Sequence, residues 1–192
     1  MKNPNPQGKG NLPVLSGLAA HSPRGIAAKA APRFIADYCL STLVLGARFG
    51  FKPVLGKDYY LYLRAGGWEL SLVSPQEWGP GSDRRHVADC RLQADMTWAF
   101  ELAASAQQDP AVIEALQEHV SHFFTAMAEA ENVEQGLPYY VANLPYYQRL
   151  CATGLAASLR ESMGLLDAPG RLAIESLARE GSGQMPALLG LR

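Results

Sequence analysis

Residues 86–100, HVADCRLQADMTWAF, alternate too regularly to form a helix. Even positions Ala88, Cys90, Leu92, Ala94, Met96, Trp98 and Phe100 are apolar, whereas Asp89, Arg91, Gln93, Asp95 and Thr97 are polar. Successive side chains of a strand point to opposite faces, while a helix repeats about every 3.6 residues, so this stretch predicts one long strand with a buried face and a wetted face. A partner is legible upstream in residues 57–74, KDYYLYLRAGGWELSLVS, where two runs rich in Tyr, Trp, Leu and Val flank Ala65-Gly66-Gly67. Glycine supplies the positive φ that a tight hairpin turn needs. Period two places Tyr59, Leu61 and Leu63 on one face of the first run and Tyr60, Tyr62 and Arg64 on the other. An isolated hairpin is marginal in water, so the expectation is an α+β fold: a small antiparallel sheet, the hairpin plus one long strand, covered by helices.

Helices are legible on both sides of the sheet. Phe34, Ile35, Tyr38, Cys39, Thr42 and Leu43 recur at spacings of three and four, predicting a helix from Pro32 to about Leu45 that ends at Gly46 or Gly50. Asp109-Pro110 is a start signal, with a carboxylate at the cap and proline in the first turn, and Ile113, Leu116, Val120, Phe123 and Met127 carry an apolar stripe onward. Two more helices are expected, over about 145–166 and 169–179. The repeat LPYYVANLPYY, residues 137–147, reads as two helix starts opened by Pro138 and Pro145 rather than as a duplicated binding surface. Residues 1–31 hold Asn, Gly and Pro without a sustained apolar period and are expected to be extended or mobile. Residues 32–180 then form a single domain, with the sheet core at about 50–100, a helical part at about 109–180, and 181–192 a flexible tail.

Partners are narrowed by charge and apolar patterning. The richest apolar segment, Leu40 to Phe51, is interrupted by Arg48 and is too short for a membrane span, and MKNPNPQGKG lacks the apolar stretch of a secretory leader. Cys39, Cys90 and Cys151 are far apart and in no C-x-x-C arrangement, so they read as buried thiols of a reducing cytoplasm. Through Lys57 the chain carries eight cations against the single acid Asp37, and the remainder carries nine against seventeen. Such asymmetry suits either an anionic partner or packing of the basic third against the chain's own acidic half; the spread of the cations favours the second.

Local motifs sort by their chemistry. In SLVSPQEWG, Ser74, Pro75 and Glu77 occupy the cap, first and third positions of a short helical turn, a capping box, and no G-x-S-x-G elbow is present to make Ser74 a nucleophile. Glu118-His119 and His122 have the wrong order for an HExxH zinc helix, and Gln7-Gly8-Lys9-Gly10 lacks the spacing of a phosphate loop. No catalytic, metal or cofactor site is therefore assigned. Three segments, YYLYLR, SLVSPQEWG and RLQADMTW, together resemble an uncharacterised family, domain of unknown function 2452, through Tyr59, Tyr60, Leu61 and Tyr62; Ser74, Pro75, Glu77, Trp78 and Gly79; and Leu92, Asp95, Thr97 and Trp98. NPNPQGKG looks like the bacterial branch. The resemblance covers about residues 50–98 and implies no activity or cofactor.

The functional expectation is a non-enzymatic bacterial cytoplasmic protein that binds protein or nucleic acid through an aromatic and cationic surface on the hairpin: Tyr60, Tyr62, Arg64, Trp78, Arg84 and Arg85. Tyrosines and arginines on a sheet are how several RNA-binding modules stack bases. The alternative is a small-ligand-binding protein or enzyme with a pocket between sheet and helices, using Glu77, Asp95 or His86. The small residues Gly154, Ala157 and Ser158 would let a helix of a second copy approach.

Overall fold

A computed structural model describes residues 12–79, 82–130 and 144–180. The turn at Ala65-Gly66 joins β1 (Asp58–Arg64) to β2 (Gly67–Ser71), setting Arg64 opposite Gly67 and Tyr62 opposite Glu69. Gly67 takes φ +101°, a conformation that side chains resist. β3 (Arg85–Leu92) and β4 (Trp98–Leu102) form a second hairpin, and β1 pairs with β3 to give one antiparallel sheet of order β2-β1-β3-β4.

The alternation of residues 86–100 therefore belongs to two strands, not to one long strand. The chain reverses between Leu92 and Trp98. There Asp95 Oδ1 accepts the Thr97 backbone N–H at 3.0 Å and the Thr97 hydroxyl at 2.6 Å, Met96 N–H reaches Gln93 C=O at 3.0 Å, and Met96 adopts φ 66°. The side-chain carboxylate stands in for a backbone acceptor, so the turn needs no glycine or proline to announce it. Parity also survives the reversal, because Leu92 faces Trp98 and Cys90 faces Phe100. From Ala88 onward even positions remain on the buried side in both strands, with Ala94 at the exposed turn as the exception.

Helices cover one face of this sheet. α2 (Ala31–Gly46) begins with Pro32 in its first turn and buries Phe34, Ile35, Tyr38, Cys39 and Leu43. α3 (Pro110–Glu129) starts at Asp109, whose carboxylate accepts the Ala111 N–H at 3.1 Å. α4 (Tyr146–Leu165) is capped by Pro145, and α5 (Ala168–Glu180) follows it. The second LPYY is thus a helix start, whereas the first lies outside the described residues. Tyr59, Leu61, Leu70, Cys90, Leu92 and Trp98 from the sheet share the core with Leu116, Val120, Leu155 and Ile174 from the helices. Each large side chain so buried stabilises the fold by about 1.5–3 kcal/mol. None of the helices among the described residues is long and apolar enough to cross a membrane.

α1 (Leu12–Ala20) is a second departure, a helix in a stretch expected to be extended or mobile. Its support is tertiary and therefore invisible to periodicity: Gly17 is buried against α4, where a Cβ would lie 3.2 Å from the Tyr146 hydroxyl oxygen. A strap then runs to α2, with Arg24 N–H donating to Ala94 C=O at 2.8 Å and Lys29 Nζ reaching Asp95 Oδ2 at 2.9 Å and Asp37 Oδ2 at 2.7 Å. The small residues of α4 serve this internal packing. A Cβ on Gly154 would collide with His21 C=O and Met96, and Ser158 Oγ accepts the Tyr38 hydroxyl at 3.1 Å. Two of the three residues expected to admit a second copy thus face their own chain, and Ala157 is half-buried.

Candidate interaction surface

Period two sends half of each strand away from the helices, and the strand register arranges those side chains in rows. Asp58 lies opposite Arg91; Ser71, Tyr60, Asp89 and Glu101 form the next row across all four strands; Glu69, Tyr62 and His86 form a third. A β-bulge keeps the rows polar: Leu61 pairs with Ala88 but Tyr62 with His86, so Val87 is an extra residue and turns its side chain into the core. Asp58, Asp89, Arg91 and Glu101 are exposed, and Tyr60 and His86 are half-buried. The face is wet where the helical face is dry.

One end of the face is covered by the SPQEWG segment. The Glu77 carboxylate accepts both the Ser74 N–H at 2.8 Å and the Ser74 hydroxyl at 2.7 Å, closing a short 3-10 turn over Pro75–Glu77. The same two bonds hold the Glu77 carboxyl below its ordinary range. Ser74 thus donates both its N–H and its hydroxyl to one carboxylate, and the pair closes the turn. The turn delivers Trp78 edge-on to Tyr62, with ring centroids 6.2 Å apart and planes at 88°. Tyr62 is buried beneath it, donating its hydroxyl to Val73 C=O at 2.9 Å, and burial pushes that hydroxyl up to about 12.

Around Trp78 the arginines are tied to acids. Arg84 lies over the Trp78 ring, 3.9 Å from its centroid, and its Nε donates to Glu69 Oε1 at 3.2 Å. Arg64 takes the other Glu69 oxygen at 2.8 Å and also bonds Asp83. Burial opposes the Glu69 charge, but the two guanidinium groups outweigh it and hold the carboxyl below its usual value. Next along the face, Arg91 pairs with Asp58, and His86 Nε2 lies 2.9 Å from Asp89 Oδ1.

The six residues singled out from the sequence therefore divide. Tyr60, Arg64, Trp78 and Arg84 share the open face. Tyr62 belongs to it but is buried. Arg85 points to the helical side, where Nη1 meets Asp109 Oδ2 at 2.6 Å at the start of α3. Glu69, Asp58, Arg91 and Asp83 are new members. Glu69 was within reach of sequence reasoning, because a two-residue turn after Arg64 sets it opposite Tyr62; period two likewise puts Asp58 on the face of Tyr60 and Arg91 on the wetted face, whereas Asp83 depends on a loop.

The three polar groups of the pocket alternative each have their own partners. Glu77 serves Ser74, His86 serves Asp89, and Asp95 serves Thr97 and Lys29 on the side of the strap. His119 sits against α2, with Nε2 3.0 Å from Cys39 C=O and 3.3 Å from Thr42 Oγ1. Burial lowers its pKa, so the neutral ring donates to the carbonyl.

Residues 44–121 match the family described as a protein of unknown function (DUF2452). The match takes in all four strands, the Trp78 turn and the first half of α3; α1, most of α2, α4 and α5 lie outside it. No solved structure matches the chain.

Proposed function

We propose that this is a non-enzymatic protein-binding module of the bacterial cytoplasm that works through the open face of its sheet. The observation that carries the reading is charge balance on a wet, aromatic face. Arg64, Arg84 and Arg91 are outnumbered by Asp58, Glu69, Asp83, Asp89 and Glu101, and each arginine already holds a carboxylate. A nucleic-acid interface needs surplus cations to displace counterions from phosphates, and this face has none. Tyr, Trp and Arg held in fixed positions are instead the residue types that dominate protein–protein binding energy. Trp78 is fixed by Tyr62 and Arg84, so little side-chain freedom is lost when a partner covers it. Three buried, unpaired thiols suit a reducing compartment.

The test is affinity purification from the source cells after nuclease treatment, comparing the wild-type chain with Tyr60→Ala/Arg91→Glu and with Arg85→Ala. A specific protein should remain bound, be lost with the double variant and persist with Arg85→Ala, which lies off the face. Retention that disappears with nuclease, or a partner indifferent to the double variant, overturns the reading.

A further inference from the structure

Where the open face ends at Arg64 and Glu69, the edge of β2 carries a groove. The segment after α2 runs parallel to β2 for a single bridge: Arg48 N–H donates to Trp68 C=O at 2.9 Å and Leu70 N–H to Arg48 C=O at 3.0 Å. The segment then leaves the strand. Between its Phe49 and Phe51 and the Leu72–Val73 end of β2 lies an open groove of about 600 Å³, floored by Leu70 and Ser71, with Arg64 and Glu69, already paired with each other, at its Arg48 end. Phe49 and Phe51 stay half-buried, stacked toward Tyr59, and Leu72 is 44% exposed.

Arg48 stands at the mouth of this groove. Its guanidinium lies over the hairpin turn, where a Cβ on Gly66 would come within 3.1 Å of Nη2. Among the described residues Arg64, Arg84, Arg85 and Arg91 all hold carboxylates, whereas the exposed Arg48 holds none. Lys52 is exposed just beyond it, and no acid occurs in the chain between Asp37 and Asp58. The groove thus joins apolar walls, a strand edge left unpaired after one bridge, and an uncompensated positive charge.

We infer that this groove docks an extended acidic peptide of a partner protein, a carboxylate meeting Arg48 and one or two apolar side chains entering between Phe51 and Leu72. An extended chain suits the shape, because the groove is open along its length and a strand edge offers backbone groups to a passing peptide. Charge favours an acid: Glu69 at the groove is already shared by Arg64 and Arg84, so Arg48 adds a positive charge that no carboxylate of the described residues offsets.

The experiment is selection from a phage-displayed library of random peptides on the full chain, followed by fluorescence anisotropy with the enriched peptides. Enriched sequences should combine Asp or Glu with Leu, Ile or Phe, and Arg48→Glu should weaken them about ten-fold, the loss of one charge-assisted contact. Leu72→Asp should weaken them as well, and Lys-for-Glu versions of the peptides should recover binding to Arg48→Glu. Recovery shows that the variant is folded. Tyr60→Ala/Arg91→Glu should leave the peptides bound, which separates this inference from the open-face reading. Enrichment without acids, affinity indifferent to Arg48→Glu, or Arg48-dependent sedimentation with phosphatidylserine vesicles in place of peptide binding would overturn it.

Discussion

The Arg84 guanidinium lies over the Trp78 ring, 3.9 Å from its centroid, while its Nε donates to Glu69 Oε1 at 3.2 Å. This contact holds the covering turn down on Tyr62, and half-exposed stacks of this kind contribute about 1 kcal/mol. Arg84→Ala should cost about that much in urea unfolding and shift part of the tryptophan emission to the red as Trp78 becomes wetter. Unchanged emission would show that the turn is held without the stack.

Asp95 gives the fold an acid limit. Burial opposes its charge, but the bonds from Thr97 and Lys29 outweigh burial and hold the carboxyl below its ordinary 3.8. Burial also opposes the Lys29 charge, yet Asp37 and Asp95 raise the ammonium above 10.5. A lowered acid stabilises fully above its unfolded value, and the contribution is lost as pH falls through the depressed folded value; the raised lysine stabilises fully below 10.5 and is lost as pH rises through its folded value. Asp95→Asn should cost about 2 kcal/mol near neutrality and flatten the acid limb of a stability curve measured by urea unfolding from pH 6 to pH 2. An unchanged limb would place the acid sensitivity elsewhere.

His119 acts in the opposite sense. Its folded pKa is lowered from 6.5, chiefly by burial, so below pH 6.5 the unfolded chain takes up a proton that the folded chain refuses. Stability should therefore fall as pH drops below 6.5, with a slope of at most about 1.4 kcal/mol per pH unit. His119→Gln keeps an N–H donor for Cys39 C=O and has nothing to titrate. Its stability should be flat across that window, and a persisting slope would assign the effect to another histidine.

Gly154 is a point where three segments meet, and a methyl group there runs into His21 C=O and Met96. One of those obstacles is backbone and cannot rotate away. Gly154→Ala should destabilise the protein by about 1–3 kcal/mol, read as a lower Tm. Alanine is the better helix former, so a higher Tm would mean that the strap lies off α4 in solution.

Local chemistry was legible wherever neighbouring residues were enough to decide the structure. The Ala65-Gly66-Gly67 turn, the Asp109-Pro110 start, the Pro145 start and the three-four stripe of α2 act within a few residues of themselves, and each appears at its expected place. The binary pattern also separates the buried Tyr59 and Leu61 from the half-buried Tyr60. It could not show that Tyr62 is buried as well, because the lid over it comes from a turn that lies outside the strand pattern.

By its own chemistry the chain determined the fold class, the first hairpin, the helix starts and the Ser74–Glu77 turn, since propensity, capping and period are properties of short segments. Tertiary structure alone decided that residues 86–100 reverse on Asp95, that Leu12–Ala20 is helical beneath α4, that Arg85 leaves the face shared by Arg64 and Arg84, and that Arg48 has no acid of its own. The Asp95 turn, though its bonds are local, is hidden by an alternation that runs unbroken through it. The last three depend on partners tens of residues away or on a strand register. A side chain's own neighbours in sequence carry no record of either.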